Sequence, residues 1–84
     1  MKVKFHEGAW EEYLYWQQTS KATLKRINQL IRDIQRSPFE GIGKPELLRH
    51  ELAGLWSRRI DDTHRLVYLV ENDMLTIIQC RHHY

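Results

Sequence analysis

Trp56-Ser57-Arg58-Arg59-Ile60-Asp61-Asp62-Thr63-His64-Arg65-Leu66-Val67-Tyr68-Leu69-Val70-Glu71-Asn72-Asp73-Met74-Leu75-Thr76-Ile77-Ile78 reads as three strands joined by two tight turns. The apolar and β-branched runs suit a sheet, and Asp61-Asp62-Thr63 and Glu71-Asn72-Asp73 are short enough for antiparallel hairpins. Working outward, a fourth run precedes them across Ala53-Gly54, so strand-like segments are expected over 47–52, 55–60, 64–70 and 74–83. The last continues into Gln79-Cys80-Arg81-His82-His83-Tyr84. Chain ends usually fray, but a tail that leaves an inner strand directly is expected to be held.

Upstream, Val3-Lys4-Phe5 reads as a short first strand, and Glu7 opens a helix with an acid where the macrodipole favours one. Trp10, Tyr13 and Leu14 recur at helical spacing, Tyr15 and Trp16 widen the stripe, and Glu11, Glu12, Gln17 and Gln18 form the wet side. Aromatics at that spacing are expected in a core. Thr19-Ser20 caps a second helix that runs to Arg36 and ends at Ser37-Pro38. Leu24, Ile27, Ile31 and Ile34 share one side of it. Lys21, Lys25, Arg32 and Arg36 gather on the far side, a solvated face or one that lies along a polyanion. Phe39 to Glu46, with two glycines and a proline, is a loop. The resulting order predicts one α+β domain over residues 1–84. A short N-terminal strand and two helices lie on one face of a mainly antiparallel four- to five-stranded sheet. The other face is left open for a ligand.

At 84 residues the chain can fold without metal or disulfide staples. Its single Cys80 excludes an internal disulfide and fits a reducing compartment. No apolar run is long enough to span a membrane, and Met1 to His6 lacks a signal-peptide core, so a soluble cytoplasmic protein is expected. Net charge is only +2, which argues little about nucleic acid. Distribution says more. From Leu47 onward every Lys or Arg is an arginine: Arg49, Arg58, Arg59, Arg65 and Arg81. The guanidinium fork suits phosphate oxygens and stacks on rings, so a sheet surface of arginines suits either phosphate recognition or plain solvation.

Cleaving RNA without a metal needs a base for the ribose 2′-OH, an acid for the leaving 5′-oxygen and a cation for the phosphoryl oxygens. Glu46 can serve as base, His83 as acid, and Arg65 with Arg59 as cations, while Tyr84 and Trp56 can stack on unpaired bases. Each also has an ordinary reading. Glu46 could be an exposed carboxylate, His83 a terminal histidine, Arg65 an ion-pair partner and Trp56 a component of the sheet packing. His64, Cys80, His82 and His83 do not show zinc-ligand spacing, and strand alternation sets Cys80 and His82 on one face and His83 on the other. Cys80 in an apolar strand is expected to be buried and inert.

Six stretches carry a resemblance: Trp10-Glu11-Glu12-Tyr13-Leu14-Tyr15-Trp16, Ser37-Pro38-Phe39-Glu40-Gly41, Gly43-Lys44-Pro45-Glu46, Trp56-Ser57-Arg58-Arg59-Ile60, His64-Arg65-Leu66-Val67-Tyr68 and Arg81-His82-His83-Tyr84. Together they resemble the YoeB toxins, a branch of the RelE/ParE superfamily of bacterial toxin–antitoxin modules. The likeness covers essentially the whole chain, and the tail and the Gly-Lys-Pro-Glu motif are its most specific features. It implies a RelE/ParE-like fold and a ribosome-dependent endonuclease that cuts mRNA in the ribosomal A site. By the same match Glu46 corresponds to the general base, His83 to the general acid, Arg65 to the phosphate-stabilising arginine and Tyr84 to the tyrosine that positions substrate. Arg59 falls on a further active-site arginine, and Lys44, Arg49 and Trp56 join it as RNA contacts. No cofactor and no metal are implied. The partners implied are a YefM-like antitoxin, the ribosome with its mRNA, operator DNA only through the antitoxin complex, and a second toxin copy.

Two residues depart from the family pattern: Arg49 replaces a lysine, and Thr63 replaces an acidic residue before His64, which bears on how Arg59 or Arg65 is held. A second functional class shares the scaffold, a non-catalytic inhibitor of the ParE kind that acts on DNA gyrase. A pure binder has no chemical need for the tail with Glu46, and that feature separates the two.

Overall fold

The computed structural model describes residues 1–83. Strand β1 (Lys2–Phe5) leads into helices α1 (Glu7–Thr19) and α2 (Lys21–Arg36), followed by β2 (Glu46–Leu47), a 3₁₀ turn (His50–Leu52), β3 (Trp56–Arg59), β4 (Arg65–Glu71) and β5 (Met74–Gln79). The five strands form one sheet in the order β1-β5-β4-β3-β2. β1 runs parallel to β5, with Val3 opposite Leu75, and every other pairing is antiparallel. The expected α+β architecture is therefore the one found, with five strands.

Helix α2 starts where the Ser20 hydroxyl accepts the Thr23 N–H at 3.2 Å, a side-chain N-cap that satisfies an otherwise orphaned donor. Its core side is Ile27, Leu30 and Ile34, each fully buried, with Leu24 and Ile31 packed alongside. Burying each of these side chains is worth about 1.5–3 kcal/mol, so this stripe fixes the helix on the sheet. On α1 the inward residues are Ala9 and Trp16, with Tyr13 beside them, whereas Trp10 remains 45% exposed and stacks on Tyr13 at 5.7 Å. The aromatic stripe of α1 is thus rotated from the expected one. Glu12, expected on the wet side, lies close enough to the sheet to accept the Cys80 N–H at 2.9 Å.

The expected strand over 47–52 is corrected. Only Glu46–Leu47 pairs with β3; His50 then adopts φ +59° and the chain closes a 3₁₀ turn through Leu52 N–H to Arg49 O. β5 likewise ends at Gln79, not at His83. Between Val67 and Tyr68 its register slips: Val67 faces Gln79 while Tyr68 faces Ile77, so Ile78 is the extra residue of a bulge. A bulge re-aims everything after it. Ile77 and Cys80 consequently both point into the core, and Gln79 joins Val67 on the opposite face.

The segment between α2 and β2 is fixed by one buried arginine. Arg58 is completely buried on the helix side of β3. Its Nη1 donates to Asp33 Oδ2 at 2.6 Å and to Ile42 O at 3.1 Å, its Nη2 to Ser37 O and Glu40 O, and its Nε to Tyr68 Oη. Tyr68 in turn donates to Pro38 O at 2.8 Å. A charge inside a protein is tolerated only when paired and hydrogen-bonded in this way. Arg58 is thus no member of the expected arginine surface; strand alternation sends it inward and leaves Arg59 outward. Gly41 and Gly43, both at positive φ, wrap this cluster. A Cβ on Gly43 would lie 2.8 Å from Leu30 Cδ2 and 3.1 Å from Arg58 Cβ, so no side chain fits there.

Candidate active site

Anchoring of the 37–43 segment delivers the next residues to the far face of the sheet. Arg59 N–H donates to Gly43 O at 2.7 Å, which sets Lys44, Pro45 and Glu46 along the edge of β3. Glu46 pairs with Ser57, and Arg59 with Arg65, so their side chains share the face away from the helices. His83 comes to the same place from the tail. Lys44, Pro45, Glu46, Ser57, Arg59, Arg65 and His83 together line a cleft of about 470 Å³.

Arg65 is held by its own turn. Its Nη1 donates to the carbonyls of Asp61 at 2.7 Å and His64 at 3.0 Å. The turn is closed by the Asp61 carboxylate, which accepts the N–H groups of Thr63 and His64 at 2.8 and 2.7 Å. Burial pushes the Asp61 pKa up, but the N–H donors of His64 and Thr63 outweigh it and hold the carboxyl below its ordinary value. Thr63 thus contributes its backbone N–H to the turn, and two carbonyls orient Arg65. Among the described residues, neither Arg59 nor Arg65 has a carboxylate within ion-pair distance. Two guanidiniums side by side in a cleft attract an anion such as phosphate.

The tail is held as expected, though by different means than a continuing strand. Trp16 Nε1–H donates to Cys80 O at 2.8 Å, and the Arg81 guanidinium sits 3.6 Å over the Tyr15 ring. Cys80 is completely buried, and burial, together with the nearby Glu12 carboxylate, pushes its thiol up to about 12. Among the described residues no group of three His, Cys, Asp or Glu side chains is close enough to hold a metal ion.

The structure separates the expected RNA contacts. Trp56 lies on the helix side of β3, opposite Tyr68, with its ring 4.9 Å from that of Phe39, so it packs away from the cleft. Arg49 lines an adjoining depression of about 380 Å³ that shares Glu46, because the 3₁₀ turn carries it off the strand face. Lys44 does line the cleft. Tyr84 lies outside the described residues. The basic residues Lys21, Lys25, Arg32 and Arg36 border a separate groove of about 960 Å³ along α2. Sequence reasoning missed Ser57, which is buried and lines the cleft; its position two residues before Arg59 on the same strand, hence on the same face, was the available signal.

A family model described as the YoeB-like toxin of bacterial type II toxin-antitoxin system matches residues 5–84. Toxin YoeB of Escherichia coli strain K12 is 57% identical over 84 residues, covering 100% of both chains. Toxin RelK of Mycobacterium tuberculosis is 54% identical over 82 residues, 98% of this chain and 96% of its own. Among solved structures, a YoeB/ParE toxin from Agrobacterium tumefaciens superposes with a TM-score of 0.98 at 46% identity, covering 100% of both chains. A YoeB chain from Staphylococcus aureus, solved in a heterotetrameric YoeB-YefM toxin-antitoxin complex, gives 0.93 at 45% identity, with 100% of this chain and 98% of that one covered.

Proposed function

The chain belongs to the YoeB-like toxins of bacterial type II toxin–antitoxin systems, and from that premise we propose that it is a ribosome-dependent endoribonuclease that cuts mRNA in the ribosomal A site. The observation that carries this reading is the convergence of Glu46, Arg59, Arg65 and His83 on one cleft. In the proposed reaction Glu46 takes the proton of the ribose 2′-OH, whose oxygen bonds to the adjacent phosphorus. The bond from phosphorus to the 5′-oxygen breaks, and His83 gives that oxygen its proton. The products are a 2′,3′-cyclic phosphate and a 5′-hydroxyl. Arg65, preset by two carbonyls, and Arg59 balance the phosphoryl charge as it develops, which costs no reorganisation at the moment of reaction. Lys44 and Arg49 flank the site and contact the backbone of the RNA, and Tyr84 positions the substrate.

Carboxylates as a class are weak bases toward a ribose hydroxyl, so positioning must supply much of the rate. The ribosome supplies it by holding the mRNA in line. A YefM-like antitoxin is the proposed neutralising partner, by analogy with the Staphylococcus aureus complex, and operator DNA is reached through that complex. A YoeB dimer is also known from that organism, and a homodimer is proposed here on the same ground. A cytoplasmic location follows from these proposed partners.

The test is cleavage of mRNA on programmed ribosomes by the wild type, Glu46→Ala and His83→Ala, with analysis of the upstream 3′ ends. A-site cutting that leaves a cyclic phosphate, slowed by orders of magnitude in both variants, is the expected result. No cutting by antitoxin-free wild type would favour a non-catalytic inhibitor of the ParE kind, with gyrase as the next target.

A further inference from the structure

We infer that His64 is a positioning residue for the tail, its ring nitrogen Nδ1 serving as the acceptor that turns the chain at His82 and so presents His83 to the cleft. The role for His83 rests on the function proposed above; the contact itself does not.

After β5 ends at Gln79, the described residues that follow belong to no strand. Residue 82 is where the direction changes: His82 has φ +66°, the left-handed region that a non-glycine residue occupies only when its surroundings hold it there. Both of its peptide groups are held. The His82 N–H donates to His64 Nδ1 at 2.7 Å, and His82 O accepts the Arg65 N–H at 3.0 Å and Gln79 Nε2 at 3.3 Å. Of these three bonds, the His64 contact is the shortest and the one that satisfies the N–H donor. To accept, Nδ1 must carry no proton, so a neutral His64 ring has its proton on Nε2.

The ring itself is set by its neighbours. Trp16 packs edge-on at 4.8 Å between centroids, and the His64 backbone N–H is tied to Asp61. The same Trp16 donates to Cys80 O, so one indole orients both the acceptor and the tail it holds. His64 also precedes Arg65 directly and lends it a carbonyl. The turn that presets the cleft cation thereby presets the approach of His83. Because His64 does not itself line the cleft, its role is placement.

The test uses the full-length protein with His64→Phe, which keeps a ring against Trp16 but removes the acceptor, and His64→Asn, whose Oδ1 can take the place of Nδ1. Three readouts are taken: the His64 tautomer from long-range ¹H–¹⁵N correlation spectra of the wild type, hydrogen exchange at the His82 amide, and kcat and KM for mRNA cleavage on ribosomes. The wild type is expected to show the Nε2–H tautomer. His64→Phe is expected to speed His82 exchange and lower kcat by about tenfold each, the scale of one lost hydrogen bond, with KM little changed. His64→Asn should recover most of both.

A wild-type ring protonated on Nδ1, or His82 exchange unaltered in a folded His64→Phe, would overturn the inference. So would His64→Asn behaving as His64→Phe does while both keep the wild-type melting temperature. If the wild type cuts no mRNA, the proposed nuclease function fails, and the tautomer and exchange readouts still decide the role of His64.

Discussion

Arg58 Nη1 and Asp33 Oδ2 lie 2.6 Å apart, joining β3 to α2 across 25 residues of sequence. The pair does more than bind two elements. Around it the carbonyls of Ser37, Glu40 and Ile42 converge on one guanidinium, and the segment they belong to leads straight to Lys44 and Glu46. The site on one face of the sheet is therefore built on an ion pair on the other.

Removing the arginine should be costly out of proportion to its neighbour. Arg58→Met removes the donor shared by Asp33, three carbonyls and Tyr68 Oη, and each buried acceptor left unsatisfied typically costs about 1–3 kcal/mol. Arg59→Met, one residue along but exposed, should cost about 0.5 kcal/mol or less while impairing cleavage. Urea unfolding of both variants checks this; equal losses would mean that the buried cluster does not organise the fold.

Acid should weaken the same pair. The hydrogen bond from Arg58, with the Ile42 N–H and the Arg58 and Arg36 charges, outweighs burial and holds the Asp33 carboxyl below its ordinary value of 3.8. A carboxyl lowered on folding contributes stability above its unfolded pKa, and that stability is lost as pH falls through the lower folded value. Melting temperature should thus decline below about pH 4, where unfolded aspartate begins to bind protons. Asp33→Asn should show a shallower decline than wild type, and parallel curves would remove Asp33 from the account.

Arg65→Lys should not pass for a conservative change. The guanidinium reaches two carbonyls with Nη1 and still has donors for the cleft, whereas an ammonium must choose. The cleavage rate on ribosomes should fall about 10²–10³-fold, the usual effect of losing a preset donor to a developing charge, with stability near wild type. A lysine variant cutting at close to the normal rate would show that charge alone suffices.

Cys80 should be silent toward thiol reagents in the folded protein. The thiolate is the reactive form, and a thiol that is fully buried and pushed up to about 12 supplies almost none at neutral pH. Iodoacetamide labelling should be slow in buffer and rapid in urea. Fast native labelling would mean that the tail opens readily from α1.

The chain's own pattern determined the two helices, the first strand, the last three strands and their turns. It did so because helical and strand periods, Ser20 as a cap, Ser37-Pro38 as a stop and Glu71-Asn72-Asp73 as a turn act over a few residues. Glu46, Arg59, Arg65 and His83 were legible as a set of chemical types, and most securely through the family resemblance. Only the tertiary structure decided that they converge on one cleft. Whether Arg58 or Arg59 points inward depends on Asp33 and Tyr68, far away in the chain. The bulge at Ile78, after which Cys80 points into the core, depends on how β5 must fit β4 and on the hold of α1 on Cys80. The segment after Leu47 has the residues of a strand yet folds into a 3₁₀ turn, because β2 is an edge with one neighbour and too little pairing to extend it. Local periodicity specifies what an element is; contacts between distant residues specify which way it faces, and in this protein the cleft exists only because of the latter.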